Sequence, residues 1–105
     1  MKNHKDISSF DELISRPSFL GGFNLHFVFN NGYEISVGCG SGMYCFPREN
    51  LKSVEKYSSF EVGIWDIDRK FVTKSVLDHN DDVIGWQGRE EISEIIKLVR
   101  KLKDK

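Results

Sequence analysis

The chain has 105 residues and a formal net charge of −1, from 15 lysines and arginines against 16 aspartates and glutamates. This length suits a single domain, residues 1–105, and the hydrophobic fraction of 39% is typical of a globular protein. The near-zero net charge excludes a generic polyanion binder, so nucleic acid is not an expected partner.

The N-terminal residues and the cysteine count indicate a cytoplasmic protein. No apolar run approaches the roughly 20 residues that a membrane span needs, and the first residues are polar, unlike a signal core. A disulfide framework usually has more cysteines than Cys39 and Cys45, the two present here. The spacing of the two cysteines permits a disulfide bridge, but in a reducing compartment we expect two free thiols. We also expect no association with a membrane.

The N-terminal part predicts a short helix at about residues 9–15. Ser9 and Glu12 have the spacing of a capping box, in which a hydroxyl caps the first turn and a glutamate bonds back to it. Pro17 ends the helix at or before Arg16, because proline disfavours the helical conformation in the residue before it.

Two segments with alternating apolar residues, 23–29 and 33–39, predict a β-hairpin around Asn30-Asn31-Gly32. A two-residue Asn31-Gly32 turn would put the two apolar stripes on opposite faces of the sheet. A three-residue loop puts them on one face and gives Gly32 the left-handed position of a bulged turn. We therefore expect the three-residue loop, with these pairs: Phe29 with Tyr33, Phe27 with Ile35, Leu25 with Val37, and Phe23 with Cys39.

A second hairpin is predicted further along the chain. Its strands are Phe60–Trp65 and Phe71–Leu77, joined by a four-residue loop at 66–69. The pairs that this register implies are Ile64 with Phe71, Val62 with Thr73, and Glu61 with Lys74.

The C-terminal part predicts a turn at 78–82, then a short apolar segment at 83–86 that is a buried strand end or the entry to a helix. A helix follows at about 89–103, with acidic residues in its first turns and basic residues in its last, as the helix dipole favours. Its apolar stripe consists of Ile92, Ile95, Ile96, Val99 and Leu102.

Residues 40–59 have no clear period, so either Arg48–Lys56 forms a short helix or the segment is a functional loop. Together the elements predict an α+β domain. Its antiparallel sheet has four to five strands from two hairpins, the C-terminal amphipathic helix packs on one face, and a short helix lies near the N-terminus.

Two stretches combine residue types that bind ligands or partners. At the end of a strand, glycine amides can cradle an anion. Near the start of the last helix, an aromatic ring and a guanidinium lie at the helix N-terminus, which is the end of a helix that attracts anions. The structural alternatives are a bulged strand exit and a core tryptophan beside a helix cap. The residues concerned are Gly40, Ser41, Gly42 and Tyr44 in the first stretch, and Trp86 and Arg89 in the second.

Further candidate contacts are Trp65, Asp81 and Asp82. Trp65 lies on the strand face opposite the apolar residues, where it is either exposed as a dimer or partner contact or covered by the N-terminal helix. The two aspartates belong to the stretch 61–94, in which nine acidic residues face four basic ones. A partner recruited by charge would therefore present a basic surface.

No complete catalytic or metal-binding set is present. Ser41 follows Gly40 directly, so the pattern of a nucleophile elbow is absent, and the glycines lack the lysine of a P-loop. The spacing of Cys39 and Cys45 does not fit a zinc site, and the aspartate-rich turns lack the remaining ligands of a calcium loop. We therefore predict no catalytic residue, no metal and no cofactor.

Several segments resemble a group of short phage and prophage proteins, mostly without assigned function. They are residues 33–37, the glycine-rich 40–45, the strand 60–65 and the segment 81–86. The resemblance covers about 23–100, and the N-terminal helix and the polar segment 47–59 depart from the shared pattern. It implies a small accessory protein of a bacterial virus and carries over no catalytic residue.

The leading hypothesis is a non-enzymatic accessory protein that inhibits a bacterial immune system by binding a host protein in the host cytoplasm. One alternative is a small-ligand sponge that binds a nucleotide signal through residues 40–44, Trp86 and Arg89. Another alternative is a small hydrolase that uses Cys45 or Ser41. A homodimer formed through Trp65 is a further possibility.

Overall fold

The computed structural model describes residues 5–19 and 21–103. In this part of the chain the strands are β1 (Ile14–Pro17), β2 (Phe23–Val28), β3 (Glu34–Cys39), β4 (Phe60–Trp65) and β5 (Val83–Gln87), and the helices are α1 (Thr73–Leu77) and α2 (Arg89–Arg100). The strands form one sheet in the order β1-β2-β3-β4-β5, and every neighbouring pair is antiparallel. The predicted α+β class is confirmed.

The hairpin of β2 and β3 has the predicted three-residue loop. Phe23 pairs with Cys39 and Phe27 with Ile35, as the apolar stripes require. The backbone N–H of Gly32 donates to the carbonyl of Phe29 at 3.0 Å, and Gly32 has a φ of +93°, in the left-handed region. Keeping the apolar residues on one face therefore decided the register against the Asn-Gly dipeptide.

The core lies between one face of the sheet and α2. Alternate residues of the central strands are fully buried on this face, and the apolar stripe of α2 packs against them. The N-terminal segment closes one end, where the ring centroids of Phe10 and Phe60 are 4.9 Å apart. The fully buried members from β3, β4 and α2 are Ile35, Val37, Cys39, Phe60, Val62, Ile64, Ile92, Ile96 and Val99.

The predicted N-terminal helix at 9–15 is wrong in extent. Only Phe10–Glu12 forms a turn, of the 3-10 type, and the chain then extends into β1. The Glu12 carboxylate accepts the backbone N–H of Ser9 at 3.1 Å, so the capping chemistry is present. One turn is too short to sustain a helix, whereas an extended chain gains backbone hydrogen bonds to β2. Pro17 is tolerated because β1 is an edge strand.

The predicted fourth strand at 71–77 is also wrong. Trp65 and Phe71 form an isolated bridge, after which the chain turns into α1. The Thr73 hydroxyl accepts the backbone N–H of Ile64 at 2.9 Å. A side-chain oxygen therefore takes the place of the backbone carbonyl to which this N–H would donate in a continuing pair of strands. Strand β5 takes the place beside β4 instead. Val62 pairs with Ile84, and Gly63 with Val83, so the predicted pairs Ile64–Phe71, Val62–Thr73 and Glu61–Lys74 do not form.

Residues 40–59 are a long loop with one short 3-10 turn at Val54–Lys56, rather than a helix at 48–56. Tyr57 fixes this loop from within the core. Its hydroxyl donates to the carbonyl of Glu49 at 2.6 Å and accepts the N–H of Leu51 at 2.7 Å. The final helix begins where predicted but ends at Arg100 rather than near 103.

None of the helices among the described residues has the length and apolar content that crossing a bilayer requires.

Candidate functional site

A β-bulge in β5 displays Trp86 to solvent. Phe60 pairs with Gln87 and Val62 with Ile84, so two residues of β5, Gly85 and Trp86, lie opposite Glu61. Trp86 has a φ of +52°, and its side chain is 58% exposed. A left-handed backbone costs a residue with a side chain about 1–2 kcal/mol. Bulges of this kind redirect side chains at functional sites, and here the redirected side chain is a large aromatic one.

Tyr44 and Arg48 join Trp86 in what we call the aromatic cluster. The backbone N–H of Trp86 donates to the carbonyl of Tyr44 at 2.9 Å, and the two ring centroids are 5.3 Å apart. The guanidinium carbon of Arg48 lies 5.1 Å from the Tyr44 centroid. Gly85 permits the close approach, because a Cβ there would lie 2.6 Å from the Cβ of Tyr44. Three residues that dominate protein interfaces, Tyr, Trp and Arg, therefore meet on the surface.

Four of the five backbone amides in the glycine-rich loop at 40–44 donate to acceptors within the protein. The N–H of Ser41 donates to Asn50 Oδ1 at 2.9 Å, and that of Tyr44 to Glu61 Oε1 at 3.0 Å. A phosphate at this loop would compete with these acceptors and lie near the Glu61 carboxylate. Gly42 is exposed, with nothing within 4 Å of a Cβ placed there. The other amides with partners inside the loop are those of Gly40 and Met43.

Arg89 points into the protein and not toward a ligand site. Its guanidinium donates to the carbonyl of Tyr57 at 2.8 Å and to that of Val54 at 3.0 Å. The guanidinium carbon also lies 5.2 Å from the Phe10 centroid and 5.1 Å from that of Phe60. Arg89 therefore holds the loop at 54–57 onto the core, and the structure does not bring it together with Trp86 as one binding site.

Trp65 lies on the sheet face opposite the core, as predicted, but the N-terminal helix does not cover it. Its ring stacks on Phe71 with centroids 3.9 Å apart, and the Arg69 guanidinium carbon lies 4.9 Å from its centroid. A homodimer through Trp65 stays a prediction. Asp81 and Asp82 are exposed in the loop before β5, and a carboxylate oxygen of Asp82 lies 3.9 Å from the Lys74 nitrogen.

Comparison with protein-family models, with curated proteins and with solved structures finds no match to this chain. The resemblance to phage proteins therefore stays a prediction, and function has to be inferred from the geometry of the site.

Neither cysteine is placed for nucleophilic catalysis. Cys39 and Cys45 are both buried and both free thiols. The Cys45 sulfur donates to the backbone carbonyl of Gly40 at 3.3 Å. His26 lies on the opposite sheet face from Cys39, because its neighbour Leu25 is on the core face. Within residues 5–19 and 21–103, no three His, Cys, Asp or Glu side chains are grouped to hold a metal ion.

Burial of Cys39 makes the stability of the protein sensitive to alkaline pH. Removal of the thiolate from water raises the pKa of Cys39 from 9.0 to about 11. The folded protein therefore holds this proton more tightly than the unfolded chain does. The resulting stability is complete below the pKa of the unfolded thiol and is lost as the pH rises through about 9 to 11.

We expect the free energy of unfolding to fall more steeply between pH 9 and pH 11 in the natural protein than in a Cys39→Ala variant. Urea unfolding followed by circular dichroism at each pH measures both curves. Other titrating groups remote from Cys39 contribute equally to the two proteins. The Cys39 thiolate is also one cause of the raised pKa of Tyr57, so the difference between the curves reports Cys39 together with this coupling. Parallel curves across this range would contradict the assignment.

Sequence reasoning missed Arg48 and Glu61 as parts of the site. The predicted partner of Glu61 is Lys74, whereas its carboxylate accepts the N–H of Tyr44. Nothing in the local sequence around Arg48 indicates that its guanidinium lies over Tyr44, because the loop path at 43–48 depends on contacts with β4 and β5.

Proposed function

We propose that this chain is a non-enzymatic protein-binding module whose contact surface is centred on the aromatic cluster. The observation that carries the proposal is Trp86, an exposed tryptophan kept in a left-handed backbone beside Tyr44. A residue that adds strain and exposes apolar area weakens a free monomer. Such an arrangement is typical of a residue retained for binding.

The surroundings of the aromatic cluster fit a protein partner better than a small ligand. Tyr44, Trp86 and the nearby Phe46 are exposed on the surface, and Phe46 is 64% exposed. Trp, Tyr and Arg are enriched among the residues that contribute most of the binding energy in protein interfaces. Trp and Tyr bury large areas at low entropic cost. The amides that would bind a phosphate already have partners, as described for Ser41 and Tyr44.

A hydrolase based on Cys45 or Ser41 has little support from these contacts. Cys45 is buried, and its thiol contacts backbone carbonyls rather than a base. Among the hydrogen bonds of the described residues, none joins Ser41 to a histidine. A nucleophile needs a base within hydrogen-bond reach to be activated at neutral pH.

The finer part of the proposal concerns the partner. We propose a host protein of a bacterial immune system, and this choice depends only on the resemblance of residues 33–37, 40–45, 60–65 and 81–86 to phage accessory proteins. It determines where the partner should be sought first, namely in a bacterial lysate.

We expect Trp86→Ala to weaken binding to a captured partner by at least about tenfold. The protein and its variant are immobilised, exposed to bacterial lysate at micromolar bait and compared by mass spectrometry. Leu98→Ala is the matched control, because Leu98 is also an exposed apolar residue but lies on α2. A partner of the aromatic cluster is retained by the natural protein and by Leu98→Ala and lost with Trp86→Ala. Its affinity is then measured with purified components.

A Trp86→Gly variant separates binding from folding. Glycine adopts the left-handed backbone without strain, which offsets the lost contact with Tyr44. The free energy of unfolding should therefore change by less than about 1 kcal/mol, while binding is lost. If the natural protein captures nothing that the Trp86 variants lose, the proposal is wrong.

A further inference from the structure

A small cavity opens on the sheet face opposite α2. Its volume is about 100 Å³, and it lies across β3 and β4. Gly38 and Gly63 form part of its floor, Met43 and Phe71 stand over these glycines, and Glu61 lies at its side. Among the described residues that line it, Glu61 is the only ionisable one.

The absence of side chains on the two glycines creates this space. A Cβ on Gly38 would lie 2.6 Å from the Met43 sulfur, and one on Gly63 would lie 3.0 Å from Phe71 Cε1. Met43 and Phe71 therefore lie directly over the strand backbone. The cavity remains between them as a recess whose lining also includes Asn24 and Ser36, which are hydrogen-bonded to each other at 3.1 Å.

The size of the cavity limits what it can hold. A water molecule needs about 10–15 Å³ of such space, whereas sites for drug-sized ligands have about 300–1,000 Å³. A cavity of about 100 Å³ therefore accepts one side chain and is too small for a nucleotide.

The charge of Glu61 selects a cation. The Glu61 carboxylate is held in place because its Oε1 accepts the N–H of Tyr44 at 3.0 Å. The Trp65 ring in the same wall already contacts Phe71, with centroids 3.9 Å apart, and the Arg69 guanidinium carbon, 4.9 Å from its centroid, so the selection of a cation rests on the carboxylate. An apolar stem can lie along Met43 and Phe71 while its charged end reaches the carboxylate.

We propose that this cavity binds a cationic side chain, a lysine or arginine, of the protein that the aromatic cluster contacts. The source of the side chain rests on the proposed function, but the recognition chemistry belongs to the cavity itself. The two sites are continuous through Glu61, which faces the Trp86 bulge and bonds the Tyr44 backbone. A partner that covers both therefore inserts one cationic residue beside an aromatic contact.

The test uses N-acetyl-lysine N-methylamide and its uncharged norleucine counterpart as probes of the isotopically labelled protein. Two-dimensional NMR follows the amides of Gly38 and Gly63 and the indole N–H of Trp65 during each titration. We expect saturable shifts of these signals and an affinity about fivefold higher for the lysine probe, as a partly exposed ion pair provides. Equal affinity for the two probes, or no shift at these residues, would overturn the proposal.

Two variants and one control test whether the preference for the lysine probe over the norleucine probe arises in the cavity. Glu61→Gln keeps an oxygen that can accept the Tyr44 N–H but removes the charge, so the preference for lysine over norleucine should disappear. Gly38→Ala forces the Met43 sulfur into the cavity, so both probes should bind more weakly. Gly42→Ala is the matched control, because a Cβ there meets nothing within 4 Å.

Retention of the lysine preference by Glu61→Gln would refute the role of the carboxylate, even if Gly38→Ala does not fold. Since no partner protein enters these titrations, their failure leaves binding by the aromatic cluster intact. A failed lysate capture, in turn, leaves the cation preference of the cavity measurable.

Discussion

An Arg89→Ala variant is expected to lose about 2–4 kcal/mol of the free energy of unfolding. The substitution leaves the carbonyls of Tyr57 and Val54 without their donors and removes the cation from the faces of Phe10 and Phe60. A positive charge in the first turn of α2 is itself unfavourable by about 0.3–1 kcal/mol, because it opposes the helix dipole. The two charged hydrogen bonds outweigh this cost, since hydrogen bonds to charged groups contribute about 1.5–3 kcal/mol each.

Urea unfolding measures the effect, and two further variants define it. Arg48→Ala removes an exposed arginine that also lies over an aromatic ring and should cost less than about 1 kcal/mol. Arg89→Lys should recover less than half of the loss, because one ammonium group does not reproduce the planar fork that reaches two carbonyls. If Arg89→Ala costs no more than Arg48→Ala, Arg89 is not the anchor of the loop at 54–57.

Asn31→Ala is expected to cost about 2–3 kcal/mol, because Asn31 joins the β2–β3 loop to the end of α2. Its side-chain nitrogen donates to the carbonyls of Val99 and Leu102, each at 2.9 Å, and its oxygen accepts the N–H of Tyr33 at 3.1 Å. The side chain is only 8% exposed, so water does not readily replace these bonds. The last carbonyls of a helix have no partners within the helix. Here the Val99 carbonyl also accepts the N–H of Leu102 at 3.1 Å, and Asn31 is a further donor from another element of the fold.

Asn31→Asp provides a sharper version of this test. At neutral pH the aspartate would place a negative charge beside helix carbonyls, so this variant should be less stable than Asn31→Ala. Such surroundings raise the pKa of the introduced carboxyl in the folded state, so its deficit relative to the natural protein should shrink as the pH falls and the group is protonated. Asn80→Ala, in an exposed loop, should change stability by less than about 0.5 kcal/mol. A pH-independent deficit in Asn31→Asp would contradict the proposed contact.

The sheet was predictable where the apolar pattern alone decides the structure. In the first hairpin, of a two-residue and a three-residue loop only the three-residue loop places Phe27 and Ile35 on the same face, so the pattern decides between the two registers. The apolar pattern does not decide the structure of the segment at 71–77. Its alternation fits a strand, but alternation does not show which segment of the chain pairs with β4. That choice depends on β5, and on the Thr73 hydroxyl that ends the pairing.

The candidate site was predictable in its residue types but not in its geometry. Trp86 and Tyr44 are candidates from sequence because they are aromatic residues near glycines. Their contact depends on a β-bulge and on the positive φ of Trp86, and neither feature has a local sequence signature. The contacts of Arg89 are unpredictable for a related reason. Its guanidinium reaches carbonyls 32 and 35 residues earlier in the chain, and one sequence does not reveal such contacts.

The order of the strands has a consequence for how the chain folds. Because every strand pairs with its neighbour in sequence, the sheet can grow one strand at a time. The β2–β3 hairpin closes a short loop, whereas pairing β4 with β3 closes the long loop at 40–59 and pairing β5 with β4 closes the segment 66–82. The contact between the N–H of Phe10 and the hydroxyl of Ser93 spans 83 residues and forms only when α2 docks. Since α2 follows all five strands in the chain, the apolar face of the sheet is complete before its cover exists. Until the helix docks, this face is the part of the nascent protein most exposed to aggregation.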